Sequence, residues 1–75
     1  MKPEQYIAEL ERLRRITENI RYRIDEAVYR MQRRLETGYS SQETESRQEV
    51  RLAHTQAAGM TRDLEELLKT KIDYE

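Results

Sequence analysis

Leu35-Glu36-Thr37-Gly38-Tyr39-Ser40-Ser41-Gln42-Glu43 is the stretch that decides the fold. A glycine just past a long periodic segment suits the left-handed position after a helix, where a Cβ would be strained. Ser40 with Glu43 three residues later carries the signature of a capping box, which satisfies the free N–H groups of a new helix. The segment 38–41 is therefore expected to reverse the chain between two helices.

Working back from Leu35, apolar residues recur at Ile7, Leu10, Leu13, Ile16, Ile20, Ile24, Ala27/Val28, Met31 and Leu35. Steps of three or four residues place these side chains on one side of a helix. Pro3 suits the first turn, where its missing N–H is no loss. This predicts helix one over about 3–37, roughly 50 Å at 1.5 Å per residue. Working forward, Ser41 to Glu49 has no large apolar residue. A second stripe begins at Val50 and continues through Ala53, Ala57, Met60, Leu64 and Leu67/Leu68, with Tyr74 as an extension. Helix two is expected over about 41–72. Ala57, Ala58 and Gly59 form a small-residue patch suited to a close helix approach or to a partner's side chain. Residues 1–75 thus read as one all-α unit, an antiparallel two-helix hairpin of coiled-coil type. The apolar residues do not keep a strict heptad, so a long parallel coiled coil is the less favoured arrangement.

Composition narrows the function classes. The chain has 75 residues, of which 36% are hydrophobic and 39% charged, so it can bury only a small core. It has no Cys, which rules out a disulfide staple or a thiolate metal site. The formal net charge of -1 provides no general attraction to nucleic acid or acidic lipid. Apolar runs are two or three residues long, so neither a membrane span nor a signal-peptide core is expected. That points to a cytoplasmic protein that does not insert in membranes.

The halves are unequal. Helix one carries Ile or Leu at nearly every turn, whereas helix two begins polar and has Ala at its middle. A lone hairpin is expected to leave Val28, Met31 and Leu35 uncovered near the turn, and a partner chain or self-association would complete the core. Tyr22 and Tyr29, seven residues apart, stack on a helix face opposite that stripe, and tyrosine is enriched at binding hot spots. The expected partner-binding residues are Ile20, Tyr22, Ile24, Val28, Tyr29, Met31, Leu35, Met60 and Leu64.

His54 is the only histidine, and it falls beside the second stripe. Catalysis or metal binding needs further groups converging in a pocket, which two helices do not enclose. No catalytic residue, metal or cofactor is expected, and the chain does not read as an enzyme. Residues 1–37 hold nine Lys or Arg and seven Asp or Glu, whereas 38–75 hold five and eight. The arginines scatter around helix one without forming a band, so nucleic-acid binding is not expected. They are better suited to ion pairs, such as Glu26 with Arg30, and to attraction between the helices.

Ile24-x-x-Ala27-Val28-x-x-Met31-x-x-x-Leu35-x-x-Gly38, followed by Gln42 and with Arg33-Arg34 before Leu35, is similar to the hairpin of the small helical co-chaperones of type III secretion needle subunits. The resemblance, over residues 24–42, implies a bacterial cytoplasmic hairpin that pairs with a helical-repeat chaperone or with the secreted subunit itself. Such a protein keeps that subunit soluble by covering apolar helix faces, with no reaction catalysed. The alternative is a self-assembling structural helical protein, such as a four-helix dimer or a needle-like or phage component.

Overall fold

The computed structural model describes residues 1–74 and consists of two helices, α1 (Pro3–Thr37) and α2 (Ser40–Lys69), running antiparallel as a hairpin. The molecule extends over 61 × 16 × 11 Å. It is thus a two-helix slab with two broad faces.

Pro3 opens α1, and the Lys2 N–H donates to Gln5 Oε1 at 3.0 Å. Gly38 closes it with φ 77°, its N–H donating to the Arg34 carbonyl at 2.9 Å. The reversal needs fewer residues than expected. Tyr39, extended at φ -77° and ψ 119°, already precedes α2, and Ser40 is its first helical residue. The Ser40–Glu43 capping box therefore does not form. The Thr37 hydroxyl accepts the Tyr39 N–H at 3.3 Å instead, and the Tyr39 carbonyl accepts from Gln42.

The far end of α2 also differs. The helix stops at Lys69, and Thr70 turns extended with its hydroxyl bonded to the Glu66 carbonyl. The chain beyond is held by Met1, whose amino group donates to the Lys71 carbonyl at 3.1 Å. The Met1 carbonyl accepts the Asp73 N–H at 2.8 Å. Tyr74 consequently lies outside the helix, exposed, and does not extend the second stripe.

The seam between the helices follows a repeat that the apolar residues did not reveal. On α1 the seam steps through Tyr6, Glu9, Leu13, Ile16, Ile20, Arg23, Ala27, Arg30, Arg34 and Thr37, all buried or half-buried, with Pro3, Glu26 and Arg33 half-buried outside the series. On α2 it steps through Gln42, Ser46, Glu49, Ala53, Gln56, Met60, Asp63 and Leu67 to Thr70 just past the helix, with Leu52, Ala57 and Gly59 half-buried beside it. Both series alternate steps of three and four, the heptad spacing of a coiled coil. The heptad is therefore sustained, but half of its positions are polar. Register is set where the buried Ser46 hydroxyl donates to the Ala27 carbonyl across the hairpin at 2.8 Å. Stepping by heptads from that contact sets Ile20 level with Ala53, Leu13 with Met60, and Tyr6 with Leu67.

The glycines behave oppositely. A Cβ at either position would meet no atom within 4 Å. At Gly38 the positive φ alone makes a side chain costly, so Gly38→Ala is expected to destabilise by about 1–2 kcal/mol. Gly59 is an ordinary helical residue in open space, and a side chain of one helix reaches the backbone of the other at Ser46 and Ala27. Gly59→Ala is expected to stabilise by about 1 kcal/mol. Thermal melts followed by circular dichroism check both, as shifts of about 4–8 °C per kcal/mol in opposite directions.

Candidate functional site

Near the turn the seam is polar. Arg23 Nη1 reaches Glu49 Oε2 at 3.0 Å, and Arg30 Nη1 reaches Glu45 Oε2 at 3.1 Å and Gln42 Oε1 at 3.4 Å. Arg30 thus bridges to α2, and the Glu26–Arg30 pair expected along α1 does not form. Farther from the turn, Arg12 Nη2 binds Asp63 Oδ2 at 2.6 Å and also Glu9. Each of these crossing pairs takes arginine from α1 and its acid from α2, as the charge split between the halves favours. The hydrogen bond from Arg12 holds the Glu9 carboxyl below its ordinary range, and Glu9 and Asp63 hold Arg12 above its own. Because the Glu9 value is depressed, this contribution is present above the ordinary glutamate range and is lost as pH falls through the lowered value.

With arginines and small residues in the seam, the apolar stripe of α1 is displaced to one side. Ile24, Val28, Met31 and Leu35 flank the seam rather than fill it. Turned inward, they would meet Gln42, Ser46 and Glu49, which offer no apolar surface to bury. Together with Val50 of α2 they line an open groove of about 440 Å³, floored by Ala27 and Ser46. Ile24, Val28 and Val50 are about half exposed, and Leu35 is 84% exposed. A smaller hollow of about 300 Å³ is lined by Ile7 and Leu10 together with Glu11 and Arg14. By helical position Leu64 and Leu68 belong to the same broad face at that end, and Leu68 is 88% exposed. One face of the slab thus carries two apolar clusters, one near the turn and one near the open end.

The expected partner-binding residues fall in three places. Ile24, Val28, Met31 and Leu35 lie on the groove, and Leu64 lies farther along the same face. Ile20 and Met60 lie in the seam, half-buried between the helices. Heptad spacing places them there, so they belong to the hairpin's own core and not to its outer surface. Tyr22 and Tyr29 lie on the opposite face, more than half and half exposed, with the Arg30 guanidinium 5.8 Å from the Tyr29 ring centre. That aromatic pair is not part of the groove. Ser46, Val50, Ile7 and Leu10 were not among the expected site residues. Counting by heptads from Leu67 through Met60 and Ala53 arrives at Ser46, a signal that hydrophobicity hides.

Among the described residues no group of three or more His, Cys, Asp or Glu is placed to hold a metal ion. No described helix is long and apolar enough to cross a membrane. Set against protein-family models, curated proteins and solved structures, the chain finds no significant match.

Proposed function

We propose that this chain is a non-enzymatic protein-interaction module that binds apolar helical surface on its grooved face. The carrying observation is the groove itself, in which four large side chains of α1 and one of α2 stand open beside a seam that has no room for them. An amphipathic helix laid there would cover anchors spaced three and four residues apart, the usual helix-in-groove arrangement. The test is the fluorescence of an apolar dye on the full chain and on Val28→Gln, each diluted until its mass is that of one chain so that no second copy covers the groove, with helicity checked by circular dichroism. Strong enhancement on the parent and a several-fold loss on the variant support the reading. Equal, weak signals would remove it.

A narrower form makes the chain a cytoplasmic co-chaperone that keeps a secretion-apparatus subunit soluble. Its support is that Ile24, Ala27, Val28, Met31 and Leu35, which carry the resemblance to needle-subunit co-chaperones, also line the groove. Light scattering from an aggregating needle subunit is expected to fall stoichiometrically as the chain is added. Undiminished aggregation would leave only the general module.

A further inference from the structure

We infer that the occupant of the grooved face is a second copy of this chain, packed antiparallel across a two-fold axis that passes between Thr17 and Ala57. The inference rests on the reading of this face as an interaction surface and names its partner. Its basis is the spacing of the exposed apolar residues. Leu10 and Ile24 lie seven residues to either side of Thr17, and Val50 and Leu64 lie seven residues to either side of Ala57. Counting from the Ala27–Ser46 contact, Thr17 and Ala57 are level to within one residue, both on the grooved face. One two-fold axis therefore relates the apolar anchors of both helices at once. Ile7 and Val28 obey the same symmetry to within one residue.

A dimer of this kind is isologous, with the same patch on each copy. The rotation lays α1 on α1 of the partner subunit and α2 on its α2, each pair antiparallel. Leu10 then meets Ile24 of the partner subunit, and Val50 meets Leu64 of the partner subunit. The turn-end cluster covers the open-end cluster, and the small Thr17 and Ala57 let the slabs close at the axis. Arg14 and Arg21 share the heptad position of Ile7 and Val28 and stand beside the axis, where the rotation brings Glu18 and Glu11 of the partner subunit level with them to within two residues. The face measures 61 × 16 Å, so nearly full overlap covers on the order of 800 Å² per copy, the size of a standard stable interface. A net charge of -1 leaves little repulsion between copies. A single foreign helix would fill the groove near the turn but has no use for matching anchors on both helices. A second copy requires them.

Sedimentation equilibrium on the full chain tests the mass, and cysteine crosslinking tests the geometry against a background free of cysteine. A mass of two chains is expected at micromolar concentration. Thr17→Cys and Ala57→Cys should each crosslink to themselves, at least ten-fold faster than Tyr22→Cys on the opposite face. Leu10→Cys should crosslink to Ile24→Cys when the two are mixed, and faster than either alone. Ile24→Glu, with helicity retained, should raise the concentration for half-dimerisation at least ten-fold. Equal crosslinking of Thr17→Cys and Tyr22→Cys overturns the two-fold arrangement. A monomer at all concentrations overturns the second copy as occupant. If that monomer still binds the apolar dye, the interaction module stands with a foreign helix as its ligand; if it binds none, both readings fall.

Discussion

Leu13→Ala is expected to cost about 2–5 kcal/mol, the range for emptying a packed leucine site. Leu13 is 4% exposed, the most buried side chain of the core. It sits level with Met60, between the Tyr6–Leu67 and Ile20–Ala53 layers, so the cost within that range depends on how far the flexible Met60 side chain moves into the void. Hairpins of this length rarely have more than about 3–5 kcal/mol in total. The variant should therefore be largely unfolded at 25 °C, or melt far below its parent. Leu35→Ala provides the contrast. Leu35 is the same residue type on the same helix, but it is open to solvent and lies beyond the overlap of the two copies, so its removal should change stability by less than about 0.5 kcal/mol. Urea titrations at one fixed chain concentration check both, because association adds stability that depends on concentration. Similar midpoints for the two variants would mean that the seam is not where the register places it.

The second large effect is a gain. The seam between Ala27 and Ile20 is occupied by the Arg23–Glu49 pair, whose side chains are 35% and 21% exposed. Desolvating two charges there offsets much of their attraction, and replacing both with well-packed apolar side chains is often neutral or stabilising by about 1–4 kcal/mol. The double variant Arg23→Leu with Glu49→Leu is expected in the lower half of that range, since the pair keeps some water. Each single variant should lose stability, because it leaves the other charge half-buried without its mate. Urea midpoints of the four proteins form a double-mutant cycle that measures the coupling. A double variant less stable than both singles would show that the ion pair contributes more than leucines could.

That pair also shows where legibility ended. The two helices, the turn and the antiparallel arrangement could all be read from local chemistry. Pro3 starts a helix because of its fixed φ, Gly38 ends one because it accepts a positive φ, and periodic apolar residues mark the length between. The imbalance between the halves was legible too, since Ser41 to Glu49 contains nothing large to bury. These properties belong to single residues or to neighbours along one helix.

Which positions face the other helix was a different matter. The apolar stripe of α1 and the actual seam coincide at Leu13, Ile16 and Ile20, and again only at Ala27. Toward the turn they part by one position, and Arg23, Ala27 and Arg30 go inward while Ile24, Val28 and Met31 go to the flank. No property of α1 alone decides this. It depends on the opposite helix, where Ser46 bonds to the Ala27 backbone and Glu49 and Glu45 receive the arginines. Hydrophobic periodicity locates a helix, but the choice of seam is set by pairwise contacts between residues far apart in sequence. For this protein that choice left Ile24, Val28, Met31 and Leu35 open beside the seam as a groove, and it set Leu10, Ile24, Val50 and Leu64 about one axis.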